Sequence, residues 1–295
     1  MMKLLKSLAV AVLPEFVLQR LRGYYRGERV EIVTAEGATV TKPEWEMVPD
    51  HDDVWQQPAG WAHGSITDQQ VEKWTAFTDA FAGAAPFGRS HEAASDAPID
   101  VSAHNTVMTF AYLLGRIAAE REAGAPSILD WGGGLGHYHQ YARALYPQTA
   151  WDYSVKDLPE LCLAGAARNA EARFLSSDTE AFSRRYDLVF ASSSLHYTRD
   201  VYALIDNLCR VSGRYLMITR TPFVDKHDDF VVVQRPHRYG YLTEYAGWFL
   251  NRARVQSFIE ERGFKLDREF LLAERPHVPN AVEQCHYRGF LFQRV

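Results

Sequence analysis

The chain has 295 residues, enough for one large domain or a core domain with additions. Hydrophobic residues at 47% and charged residues at 23% are ordinary for a globular protein. A net charge of -5 excludes a general electrostatic attraction to nucleic acid. Cys162, Cys209 and Cys285 are far apart, without CxxC or Cys/His ligand spacing. That points to a reduced, cytoplasmic setting with no metal site.

Lys3 and Lys6 precede the short apolar run Leu8 to Leu13, which looks like the start of a signal peptide but lacks a convincing cleavage site. The run is far below the ~20 apolar residues of a membrane span. Leu4, Leu5, Leu8, Val12, Phe16 and Leu21 can share one helical face flanked by basic residues. Two readings of residues 1–22 stay open: a helix lying peripherally on the inner membrane, or one docked on its own protein or a partner.

Residues 23–66 read as irregular. Val30 to Val33 and Ala38 to Thr41 suggest a small hairpin across Glu36-Gly37, and Pro43, Pro49 and Pro58 punctuate a segment carrying Trp45, Trp55 and Trp61. Such tryptophans cover a cleft, bind a sugar face or, more commonly, pin a loop to the core. Thr67 is the expected cap of a helix to Phe81 with Val71, Trp74 and Phe77 inward. A longer helix is expected from Ser102 to Ala123. Residues 1–101 are thus read as an extension and cap, and 102–295 as the ligand-binding domain.

Ser127-Ile-Leu-Asp-Trp-Gly-Gly-Gly-Leu-Gly136 follows. Ile128 and Leu129 read as a buried strand, the glycines as a sharp turn, and His137 to Tyr146 as a helix. This is the first half of a βαβ unit that binds a nucleotide-like ligand. Asp130, Gly132, Gly134 and Gly136 give acidic-x-Gly-x-Gly-x-Gly, with Gly133 between them a further candidate for the ligand, and His137 stands where the dinucleotide fingerprint needs a third glycine. S-adenosylmethionine has no pyrophosphate to cradle, and it needs an acidic group for its amino acid end and open backbone beside its methionine chain. The stretch resembles motif I of the class I, Rossmann-like, S-adenosylmethionine-dependent methyltransferases.

Strands and helices then alternate, as a mostly parallel α/β sheet requires. Thr149 to Val155 reads as a second strand whose end carries Asp157, 21 residues beyond Gly136. A carboxylate there can accept both ribose hydroxyls. Asp157 is the expected ribose ligand, with Leu158 beside it and Asp152 the weaker candidate; Asp157 also suits a helix N-cap. After a third strand at Ala172 to Leu175, Ser177 and Asp178 can border the adenine edge or simply cap a helix.

Tyr186 to Ala191 reads as a fourth strand, with Ser192, Ser193 and His196 at its ligand end. The "YDLV…SLHY" stretch looks like motif IV of the same methyltransferases. A fifth strand runs from Gly213 to Thr219. The polar stretch from Asp225 to Arg238 is expected to be an acceptor-binding loop. Leu242 to Arg262 reads as one long helix. Phe264 to Leu272 and Gln284 to Gln293 read as a final hairpin. By the resemblance, its last strand inserts antiparallel into the sheet.

The tryptophan-bearing front section, "LDWGGGLGHY", "YDLVFASSSLHY" and the "VVVQRP…W" region are similar to a little-characterised bacterial methyltransferase family associated with surface-polysaccharide gene clusters. The likeness implies S-adenosyl-L-methionine as cofactor and a small-molecule or glycan acceptor, methylated on oxygen. Lys156 departs from the apolar residue many relatives carry there. Asp/Asn-Pro-Pro-Tyr, the nucleic-acid methyltransferase motif, is absent. A hydroxyl acceptor is helped by a general base; His196 is the first candidate and His227 the second. The competing readings are a nicotinamide oxidoreductase, disfavoured by the missing glycine, and a non-catalytic binding or scaffold protein.

Overall fold

The computed structural model describes residues 29–33, 39–50, 52–56, 60–89, 99–120 and 124–295. The reading of residues 1–22 and the turn at Glu36-Gly37 lie outside them. Beta strands β1 (Arg29–Val33) and β2 (Thr39–Pro43) form the expected antiparallel pair.

The large sheet is built around β4 (Ser127–Trp131). On one side lie β5 (Asp152–Lys156) and β6 (Arg173–Leu175), on the other β7 (Tyr186–Ser192) and β8 (Ser212–Val224), all parallel. Beyond β8, β12 (His286–Arg294) inserts antiparallel, and β11 (Phe264–Leu271) pairs antiparallel with it. The mostly parallel sheet with its antiparallel last strand is the class I methyltransferase arrangement expected from the sequence.

Period-two alternation along each strand feeds two apolar layers. Ile128, Leu188 and Met217 face one layer, shared with Trp74, Phe77, Val107, Phe110 and Leu114. Leu129, Val189 and Leu216 face the other, with Leu204, Ile205, Leu208, Val255 and Ile259. The first layer is covered by α2 (Gly64–Asp79), α3 (Val101–Ala119) and α4 (His137–Leu145). A short α1 (Asp52–Trp55) precedes these. Between the strands run α5 (Pro159–Ala166), α6 (Asp178–Ala181) and α7 (Val201–Val211).

Four expectations are corrected. Leu242 to Arg262 is not one helix: it is β10 (Tyr245–Asn251) followed by α8 (Arg252–Glu260). The first half combines aromatic residues with Gly247, which favour a strand over a helix. Asn251 then caps α8 by accepting from the Arg254 N–H at 2.9 Å. The stretch after strand five is not loop throughout, because Phe230–Gln234 forms β9, and its Val231, Val232 and Val233 are buried. The tryptophan segment is not all irregular, because β3 (Trp45–Val48) pairs antiparallel with β9, and β9 with β10. Finally, α2 starts earlier than Thr67: His63 is its cap, its Nδ1 accepting from the Ser65 N–H at 3.2 Å.

These corrections change the shape around the ligand ends of the strands. Beta strand β8 is long, and past Arg220 its far end pairs in parallel with β10 at Phe223 and Val224. The ribbon β3-β9-β10 therefore grows from the main sheet beyond the carboxyl end of β7. Among the described residues, no helix is long and apolar enough to cross a membrane.

Candidate active site

Open parallel sheets leave a crevice outside the carboxyl ends of their strands. Here a cavity of about 260 Å³ lies there. Its floor is the turn Gly132-Gly133-Gly134 after β4, and Lys156, Asp157 and Leu158 after β5 form one wall. Ser192, Ser193 and Ser194 follow β7, and Arg220 comes from β8. Trp61, Gln70 and Tyr197 close it from above.

The glycines are required by the protein as much as by a ligand. Gly132 has φ +71°, and a Cβ on it would stand 2.2 Å from the Ser194 Cβ. Ser194 in turn donates to the Trp131 carbonyl at 2.6 Å, locking the β7 end onto the turn. Gly136 has φ +81° and begins α4, but it is not in the cavity wall; a Cβ there would meet Asn169 Nδ2 at 2.4 Å.

Asp157 lies where the sequence reading put it. Its Oδ2 accepts from the Gly134 N–H and its Oδ1 from the Leu158 N–H, both at 2.7 Å. It thus ties the end of β5 to the turn and serves the following helix, while still lining the cavity. Burial pushes its carboxyl above the usual value, with the two N–H donors and Lys156 opposing. Asp152 sits at the opposite end of β5, held by Arg184 at 2.6 and 2.9 Å, so it is excluded as a ribose ligand.

Asp130 is corrected. It is 1% exposed and absent from the cavity wall. Its carboxyl packs behind the turn, where a Cβ on Gly133 would meet its Cγ at 2.6 Å, and Tyr153 donates to it at 2.9 Å. Burial raises it to about 7. Ser177 and Asp178 also lie off the wall. Asp178 acts through Lys156, whose Nζ it meets at 2.9 Å. That ammonium lies 5.0 Å from the Trp131 ring centroid, and Trp131 stacks on Phe182 at 5.1 Å. Ser192 and Ser193 do line the cavity. The Tyr138 hydroxyl meets Ser192 Oγ at 2.9 Å, and Ser193 holds a left-handed φ of +53°.

Neither expected base reaches the cavity. His196 is fully buried in the turn after β7, its ring 3.9 Å from that of Tyr197. Neither ring nitrogen has a hydrogen-bond partner, and burial lowers its pKa to about 3. The ring is therefore neutral and walled off from a substrate. His227 is exposed on the β8–β9 loop, where its backbone N–H donates to Glu283 Oε2 at 3.0 Å. The neighbouring acids are engaged elsewhere: Asp225 pairs with Arg252 at 2.6 Å and Asp229 with Arg254 at 3.0 Å. Among the described residues, no group of three or more His, Cys, Asp or Glu can hold a metal. His137 does line the cavity, packed against Trp74 and Phe77 at ring distances of 5.3 and 4.9 Å.

Sequence reasoning missed the upper wall. Trp61 stacks on Tyr245 at 4.5 Å and approaches Tyr197 at 4.9 Å. Arg220 adopts φ +51°, unusual for a residue with a side chain, and Glu274 grips its guanidinium through Nε and Nη2 at 2.8 and 3.1 Å. The one available signal was position: Arg220 follows the fifth strand, where ligand contacts gather. Trp61 lies in the tryptophan segment, for which covering a cleft is one of the readings and pinning a loop the commoner one; Gln70 gave no signal, because it comes from a helix ahead of the sheet. The arrangement offers an elongated polar ligand a bare turn and a carboxylate at one side, and aromatic faces at the other.

No family model matches the chain, and no curated protein matches it. Solved structures do resemble it. Magnesium protoporphyrin IX methyltransferase from Synechocystis PCC 6803, with bound SAH, is 13% identical over 78% of this chain and 98% of that one, at a TM-score of 0.47. An S-adenosylmethionine-dependent methyltransferase from Clostridium acetobutylicum ATCC 824 is 12% identical over 64% and 92%, at 0.41. The mitomycin 7-O-methyltransferase MmcR is 14% identical over 65% and 55%, at 0.40.

Proposed function

We propose that this chain is an S-adenosylmethionine-dependent methyltransferase that methylates an oxygen of a small-molecule or glycan acceptor. The observation that carries the reading is Asp157 lining the cavity while bonded to the Gly134 N–H across the turn. A carboxylate oxygen with one backbone donor keeps a second lone pair for a ribose hydroxyl. The residues present fit the cofactor: a side-chain-free turn, that carboxylate, and a buried polar wall atom with no protein partner, Gln70 Oε1.

The bound cofactor supplies the electrophilic methyl group on its sulfonium. The chain's own residues orient and exclude water. Asp157 and Leu158 hold the nucleoside end, and Lys156 with Trp131 bounds the base. Trp61, Tyr197 and Arg220 face the acceptor. Flat aromatic faces suit the apolar side of a sugar ring. With His196 buried and His227 outside the wall, transfer rests on orientation of the acceptor oxygen rather than on either imidazole. We take residues 102–295 as the cofactor-binding unit and the preceding segment as its cap.

Calorimetric titration with S-adenosylhomocysteine and with NADH tests the cofactor; binding of the first alone is expected. Binding of NADH alone, or of neither, overturns the reading. Mass spectrometry of oligosaccharide and small-phenol acceptors incubated with S-adenosylmethionine tests catalysis, with a gain of one methyl group expected.

A further inference from the structure

Gln70 occupies a place on α2 where an apolar residue is expected. The buried face of that helix is Ile66, Gln70, Trp74 and Phe77, an i, i+4, i+8, i+11 stripe. Gln70 is 5% exposed, and its Oε1 has no hydrogen-bond partner. Leaving a buried carbonyl unmatched is costly, so such an atom asks what completes it. Gln70 lines the cavity. Its Oε1 rests against the glycine turn, 2.7 Å from where a Cβ on Gly134 would lie.

We propose that Gln70 Oε1 accepts a hydrogen bond from the α-ammonium of S-adenosylmethionine, making the cap helix part of the cofactor site. The inference rests on the methyltransferase reading. Gly134 is flanked by two acceptors of different kinds: Asp157 Oδ2 takes its N–H, and Gln70 Oε1 stands beside its Cα. Asp157 is assigned the nucleoside end, which leaves Gln70, reaching the same glycine from the cap helix, for the amino acid end. That end of the cofactor carries an ammonium, a group with donors only, and a carbonyl oxygen only accepts. Asp130, the acidic residue of the motif, cannot serve directly, since it lies behind the turn and outside the wall. An acceptor brought by the cap takes over the task the motif acid cannot perform from there.

The test compares S-adenosylhomocysteine with 5′-methylthioadenosine, which keeps the adenosyl group and sulfur but lacks the amino acid end. In calorimetry, Gln70→Ala is expected to weaken S-adenosylhomocysteine about tenfold or more, the scale of a hydrogen bond to a charged group. Methylthioadenosine affinity should not change. Gln70→Glu, which offers an oxygen in either amide position, should keep S-adenosylhomocysteine affinity. Gln70→Met fills the site without the acceptor and should behave as Gln70→Ala, guarding against a folding defect of the smaller side chain. Equal weakening of both ligands, or unchanged S-adenosylhomocysteine binding in Gln70→Ala and Gln70→Met, overturns the inference and leaves the methyltransferase reading standing. A wild-type protein that binds neither ligand overturns that reading, and this inference falls with it.

Discussion

The two sides of the cavity are built differently. The turn side comes from Gly132 to Gly134 and Lys156 to Leu158, two strand ends that pair directly within the sheet. The upper side gathers Trp61, Gln70, Tyr197 and Arg220, with Glu274 holding Arg220 from 54 residues further on. The turn side is tied across strands by the Gly132 N–H donating to the Lys156 carbonyl and the Gly134 N–H donating to Asp157 Oδ2, both at 2.7 Å. The upper side depends on long-range packing. On the proposed function, the turn side together with Gln70 holds the cofactor, and Trp61, Tyr197 and Arg220 set the acceptor.

Substitutions can separate the two halves. The largest effect is expected from Gly132→Val. Its left-handed φ and the 2.2 Å approach to Ser194 leave no room for a side chain. Strain and clash together should cost about 3 kcal/mol or more, read as a fall in thermal midpoint and loss of S-adenosylhomocysteine binding. Next comes Asp157→Ala, which strands the Gly134 and Leu158 N–H groups. A loss of about 2–3 kcal/mol in cofactor affinity is expected by calorimetry. If binding survives this change, the turn side is not the cofactor side.

His196→Phe asks whether that ring does chemistry or packing. Its folded pKa is lowered to about 3 by burial, against about 6.5 unfolded, so the unfolded state binds the extra proton between those values. Its neutral form stabilises fully above pH ~6.5, and that contribution is lost as pH falls toward about 3. Asp130 runs the other way. Its pKa is raised to about 7, so its contribution is full below pH ~4 and lost as pH rises to the raised value. Where the two windows overlap, the two slopes oppose each other. Relative to wild type, His196→Phe should gain about 2 kcal/mol on going from pH 6.5 to pH 5, with turnover at neutral pH unchanged. A large loss of turnover would return His196 to the mechanism.

The smallest effect is expected from Glu274→Gln. One charged partner of a half-buried bidentate pair becomes neutral while the shape is kept. A rise in acceptor KM worth about 1 kcal/mol, with S-adenosylhomocysteine affinity unchanged, would confine Arg220 to the acceptor half. An equal loss in both would erase the distinction between the two sides.

The legible part of the site follows the same division. The position of Asp157 on the cavity wall was legible because a strand end at that distance from the glycines faces the crevice in a sheet of this kind. The succession of strands along the chain and the final hairpin could be read for a similar reason, since period-two burial and turn residues are local signals. His196 misled because a strand-end histidine beside hydroxyls has the same sequence whether its ring enters the crevice or turns into the core. Asp130 misled in the same way: its spacing places it near the strand end just before the turn, but does not say on which side of the backbone its carboxyl lies.

By itself the sequence determined the alternation of strands and helices, the glycine turn and the carboxylate one strand over. Each of these depends on residues close together in the chain. Tertiary structure alone decided that β10 pairs with β9 and that Trp45 joins the sheet through β9. It likewise set Trp61 and Gln70 over the turn and closed Glu274 on Arg220. Those outcomes turn on which distant surfaces bury one another, a preference that no short window of residues contains.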